Sequence, residues 1–259
     1  MATRHCLILL TVVLGMTVTA AGLPAAGADP ALQFRKYESR HFTVRFEGRE
    51  DPALVWTLLE RLESACRDVG RQLGAFPGSR VPVVLYTNGE FPAHAAVPHW
   101  AQGLFDGQIR LAVSWAALHE ASLDKTLRHE YTHALVHART GGNVPTWLSE
   151  GLAVVSENRA ADEPGEIMRK AWHLIPLHDL HGSFLTLPST QVPLAYAESE
   201  AAVRYLLARH GEAAVRALLT RLGEAQDFAT AIRDVTGGTY AEFQSAWMRS
   251  IIDARRTDG

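Results

Sequence analysis

The stretch that most restricts what this chain can become is His129-Glu130-Tyr131-Thr132-His133. Residues four apart on a helix lie on one face, a turn from each other. His129 and His133 can therefore grip one metal ion, with Glu130 placed to take a proton from a water beside it. That chemistry requires a helix, and the flanking residues provide one. Leu127, Tyr131, Ala134, Leu135 and Ala138 form an apolar stripe, with His129, Glu130, His133 and His137 on the other side. The pattern predicts a helix from roughly Leu123 to Arg139, one face in a core and the other toward a cleft, stopping at Gly141-Gly142.

A hydrolytic zinc site takes three protein ligands and keeps a fourth position for water. His137 is two turns from His129, about 12 Å along the axis, so it cannot converge on an ion bound at about 2 Å. The third ligand must come from another element. Glu150 follows His133 by 17 residues, on a segment from Pro145 that reads as a second helix folding back after the glycine pair. Glu157, two turns further on, competes for the same role.

Composition narrows the rest. A chain of 259 residues, 47% hydrophobic, can bury a sizeable core. A net charge of -3 offers no basic field for nucleic acid. Cys6 and Cys66 are the only cysteines, so neither a disulfide framework nor a cysteine-based zinc site is expected. Arg4, an apolar run from Cys6 to Val18 and Ala26-Gly27-Ala28 read as an export signal over 1–28, with Val18-Thr19-Ala20 as a second cleavage candidate. An uncleaved membrane anchor is the competing reading, but the run is short for a span. The expectation is a periplasmic or secreted protein without stable membrane insertion after signal removal.

The predicted fold class is α+β: a small mixed sheet with an edge strand over the metal-bearing helix, followed by an all-helical C-terminal half. Residues 29–259 form one domain, with an α/β half over 29–160 and a helical half over 161–259. Phe42, Val44 and Phe46 alternate as a strand, Asp51-Pro52 opens a helix ending near Gly74, and Val81–Tyr86 is a second strand. The run Gly107–Val113 alternates again and is read as the rim of the site. If it is the free edge, Gln108, Ile109 and Arg110 bind an extended peptide substrate; otherwise it is an ordinary edge strand. Helices follow from Ala197, punctuated by Gly211 and Gly223, and Thr239-Tyr240-Ala241-Glu242 is a capping box.

The two-part motif His129–His133 and Pro145–Ala153 resembles the gluzincin metallopeptidases, most closely the bacterial peptidase MA-like domains. Ser39–Val44, Val83–Tyr86, Phe105–Ile109 and the helical tail are similar to that group in order and spacing. The resemblance covers about residues 35–253. It implies a thermolysin-like core, one zinc ion, Glu150 as third ligand beside His129 and His133, and a peptide or protein substrate. One departure stands out. Thermolysin-like members carry an acidic residue four after the ligand glutamate, holding a zinc histidine, and here that position is Val154. Asp124 or a backbone carbonyl is expected to substitute. The resemblance also implies an oxyanion-stabilising Tyr or His from the C-terminal half, for which Tyr196 is the candidate and His178, His181 and His210 are weaker ones.

The function so read is an exported zinc metallopeptidase with Glu130 as general base. The alternatives are a cell-wall peptide amidase on the same site and a zinc-binding scaffold without turnover.

Overall fold

The computed structural model describes residues 12–13, 36–47, 51–86, 91, 102–114, 118, 120–158, 166–168 and 170–257. The cleavage motif Ala26-Gly27-Ala28, most of the irregular stretch that begins at Phe91 and the polar loop over 159–165 lie outside the described residues.

The architecture is a mixed sheet followed by helices, as the periodicities require. Six strands, β1 (Val12–Val13), β2 (Tyr37–Glu38), β3 (Phe42–Glu47), β4 (Val81–Tyr86), β5 (Gly103–Phe105) and β6 (Ile109–Ala112), pair in the order β1-β5-β6-β4-β3-β2. The three central strands run parallel, in register Val44↔Val83 and Val83↔Ile109, while β5 is antiparallel to β6 with Phe105↔Ile109. Phe42, Val44, Val83, Leu85, Ile109 and Leu111 are fully buried on the face that meets the main core. Val84, Tyr86 and Ala112 alternate to the opposite face and cluster with Phe91.

Helix α1 (Pro52–Leu73) crosses between β3 and β4. Asp51 caps its first turn by accepting from the Leu54 amide at 3.2 Å, and Gly74 ends it at φ 65°. It docks on the sheet through Glu63, which accepts from the Ser39 hydroxyl, the His41 amide and His41 Nδ1 at 2.7–2.8 Å. Cys66 packs inside, its thiol 3.2 Å from the Tyr131 hydroxyl.

Helix α2 (Ala121–Thr140) carries the histidine motif and ends at Gly141, φ 62°. It is more deeply enclosed than a helix with one polar face. Leu127 and Tyr131 are buried on one side, and His129, Glu130 and His133 are almost wholly buried on the other. Helix α3 (Thr146–Ser156) folds back across it. The tail comprises α4 (Val192–Gly223), α5 (Phe228–Thr236) and α6 (Tyr240–Thr257). Within α4, Gly211 is non-helical at φ 77° and ψ 171° and separates two helical segments, as its place in the sequence led us to expect. No helix among the described residues is long and apolar enough to cross a membrane.

Helices α3 and α4 meet at Gly151. A Cβ there would lie 2.3 Å from the Ser199 carbonyl oxygen and 2.6 Å from Val203 Cγ2. Helix propensity alone favours alanine over glycine by about 1 kcal/mol. Overpacking against backbone should reverse the sign, so Gly151→Ala is expected to destabilise the chain by about 1–3 kcal/mol in denaturant unfolding. A gain in stability would contradict this contact.

Candidate metal centre

Three side chains from two helices converge in the interior. His129 and His133 project one turn apart from α2, and Glu150 reaches them from α3. Glu150 Oε2 is 3.5 Å from His129 Nε2 and 3.5 Å from His133 Nε2. Donors about 2.0–2.1 Å from a tetrahedral ion stand about 3.4 Å apart. The three donor atoms lie within 4.8 Å of one another, and all three residues are buried. His129 Nε2, His133 Nε2 and Glu150 Oε2 each lack a hydrogen-bond partner. Orphaned buried polar atoms are costly unless something satisfies them, and a single cation at their focus satisfies all three. The residues therefore fit the metal that the motif implies.

The outward nitrogens are fixed by neighbours. His129 Nδ1 is 2.7 Å from Glu157 Oε1, and His133 Nδ1 is 3.0 Å from Ser149 Oγ. A carboxylate only accepts, so in the neutral ring His129 donates through Nδ1–H and leaves the Nε2 lone pair facing inward. This corrects the expectation for the missing carboxylate at Val154. Asp124 pairs instead with Arg61 at 3.2 Å, and no backbone carbonyl takes the role for His129. Glu157 does so from the residue after α3, seven positions beyond Glu150. Residues at i and i+7 share a helical face just as i and i+4 do, so the same helix delivers the carboxylate one turn later. The competition between Glu150 and Glu157 resolves into two different jobs.

Glu130 lies beside this cage, fully buried, with neither carboxylate oxygen hydrogen-bonded. Burial and the nearby Glu150 and Glu157 charges push its carboxyl up to about 8, against the opposing pull of His129. Burial disfavours a charged His129, but the Glu150 carboxylate 3.5 Å away and the hydrogen bond to Glu157 outweigh it and raise that imidazole to about 10. Glu150 is held below the usual carboxylate range despite its burial, by His133 and His129. Without a cation the cluster thus retains protons to balance three buried carboxylates.

Tyr196, on α4, reaches the same centre. Its ring packs edge-on against Phe184 at 5.2 Å. Burial, the surrounding Glu150, Glu130 and Glu157 carboxylates and a hydrogen bond to Glu150 raise its phenol well above the ordinary value, so its O–H stays a donor. His178, His181 and His210 are not part of this cluster. His181 Nε2 instead contacts the Tyr240 hydroxyl at 3.0 Å, which also accepts from Trp147 Nε1.

The strand expected at the rim of the site is an interior strand. The strand through Ile109 is not a free edge, because β6 is paired to β4 on one side and β5 on the other. Ile109 is fully buried, Arg110 is tied to Asp106 and Tyr86, and Gln108 accepts from Arg45. The strand that borders the site is β5. A Cβ on Gly103 would meet Glu130 Cγ and Oε1 at 2.7 Å. Gly103 and Ser149 escaped the sequence reading, and Glu157 entered it only as a rival ligand. Their signals were a glycine in an apolar run, a hydroxyl beside the ligand and a carboxylate at i+7.

A family model described as the peptidase MA superfamily matches residues 72–253. The chain belongs to the peptidase MA superfamily. No curated protein matches it. The superfamily match takes in α2, α3 and the tail helices, and with them every residue of the metal centre.

Because bound metal needs deprotonated ligands, this peptidase MA domain should bind its ion more tightly as pH rises. Groups whose folded values are raised, His129 and Glu130, contribute stability at low pH that is lost as pH climbs through about 10 and about 8. Chelator-treated protein should therefore lose thermal stability between about pH 6.5 and 10, while the metal-loaded form gains relative to it. Melting curves of both forms across that range test this; a gap that narrows with pH would contradict it.

Proposed function

We propose that this chain is an exported zinc-dependent peptidase that hydrolyses peptide bonds. The observation that carries the proposal is Glu130: a buried carboxylate with two unpartnered oxygens, beside the His129–His133–Glu150 cage. A purely structural metal site has no use for it, since burying an unpaired carboxylate costs stability. Zinc, when bound, polarises a carbonyl and lowers the pKa of a coordinated water to about 7.

The protein's residues do the rest. His129, His133 and Glu150 would hold the ion. Glu157 and Ser149 fix the two rings so that their Nε2 atoms face it. Glu130 accepts the proton of the attacking water and delivers it to the nitrogen of the departing amine, so that one water is consumed and two peptides result. Its raised pKa suits it to both halves of that transfer. Tyr196 donates its O–H toward the oxygen that becomes negative as the carbonyl is attacked. The apolar leader ahead of the domain supports export.

Glu130→Gln keeps the shape and removes the base. It should retain one zinc per chain by elemental analysis and lose about 100-fold or more in kcat. Full activity would end the proposed mechanism. Tyr196→Phe should also keep its zinc, with kcat reduced about 100-fold and KM little changed; a change in KM alone would assign the tyrosine to substrate binding instead. Glu150→Ala should lower zinc content itself.

A further inference from the structure

His137 is the one histidine of the motif helix without a role so far. It is exposed in the last turn of α2, one turn beyond the buried His133. Its ring stands over Phe105 of β5, with centroids 5.6 Å apart. Among the described residues no hydrogen-bond partner meets its ring nitrogens. Arg139, two residues on, is engaged elsewhere with the Leu73 carbonyl and Thr220.

Strand β5 therefore touches α2 at two points. Gly103 abuts Glu130, and Phe105 abuts His137. Residues two apart on a strand face the same way. A chain pairing with β5 places its residues opposite Gly103 and Phe105 on that same face, toward α2, and sends the residue between them to the other side. In this molecule the outer side of β5 is held by Val12 and Val13, which pair with Leu104 and Phe105; a substrate chain would take their place once the leader over 1–28 is removed.

From these contacts we propose that Phe105 and His137 form a substrate subsite that selects an acidic side chain, two residues away from the substrate residue lying against Gly103 and Glu130. The proposal rests on the peptidase reading above and adds a substrate preference to it. Phe105, mostly buried, packs against the imidazole at an interplanar angle of 58° and limits where the ring can move. The imidazole is exposed and can donate a hydrogen bond through a ring N–H to a side chain lying against β5. A carboxylate is the side chain that such a donor binds best.

The test is cleavage of a mixed peptide library by the zinc-loaded chain with its leader removed, with products mapped by mass spectrometry. The expected profile is enrichment of Asp or Glu at one position two residues from a residue flanking the cleaved bond. His137→Ala should reduce that enrichment about tenfold and leave zinc content and cleavage of neutral peptides unchanged. Because His137 is exposed, this variant should fold. A profile that is the same in the variant, or that shows no acidic preference, overturns the subsite. If the wild-type chain cleaves nothing, the peptidase reading fails by itself. Anisotropy titrations of labelled acidic and neutral extended peptides then decide the subsite: equal affinities, or affinities unaltered by His137→Ala, overturn it, and a selective loss for the acidic peptide upholds it.

Discussion

Everything in this molecule is arranged around a concentration of charge that a protein interior does not tolerate unaided. Glu130, Glu150 and Glu157 lie buried within reach of only two imidazoles, His129 and His133. Removing ionised groups from water costs several kcal/mol each unless they are paired. Proton retention on His129 and Glu130 relieves part of that cost, and a divalent cation relieves more, because it satisfies the orphaned donor atoms simultaneously. The metal centre is thus a destabilised spot that the surrounding core must overcome. The largest buried side chains, Trp147, Trp247 and Tyr131, belong to that core.

Helix α3 transmits that support. It brings Ser149 and Glu150 inward, and Glu157 follows its last turn. Its position is over-determined from both sides. Toward the motif helix, Thr132 Oγ1 lies 2.9 Å from Ser156 Oγ. Toward the tail, Gly151 presses on the Ser199 carbonyl, and Trp147 Nε1 donates to the Tyr240 hydroxyl at 3.0 Å. A ligand displaced by 1 Å would no longer meet zinc–oxygen distances near about 2.0–2.2 Å. The helical tail, far from the metal in sequence, is therefore part of what sets its geometry. Tyr196, which enters the centre from α4, makes that dependence direct.

How much of this was legible in the sequence follows from how local each constraint is. The histidine pair, Glu130 and the order of elements were readable, because helical and strand periods report directly on which faces are buried. Glu150 was legible from its spacing after His133 as well as through the resemblance, whereas Tyr196 was named through the resemblance alone. Two things were not. The alternation in Gly107–Val113 marks β6 as a strand with one face in the core but is silent on how many neighbours it has, and β6 proved interior. The three-residue β5, its outward neighbour, contains only Gly103-Leu104-Phe105 and is too short to show a period. Likewise Glu157 was visible as a carboxylate on the correct helical face, yet nothing local distinguishes a ligand from the residue that holds a ligand's ring. Distances of 3.5 Å to Glu150 and 2.7 Å to Glu157 make that distinction.

The position of β5 also has a steric basis. An exposed strand edge offers unpaired backbone groups to any extended chain, which is the property a peptide-binding surface needs and also the one that leads to aggregation. A long edge would serve both. β5 is three residues long, with β6 on one side and Val12–Val13 on the other, and the contact of Gly103 sets it against the Glu130 carboxylate. Any side chain at 103 would meet Glu130 and Thr126 and force strand and helix apart. The glycine therefore lets the sheet lie close against the helix that carries His129, Glu130 and His133.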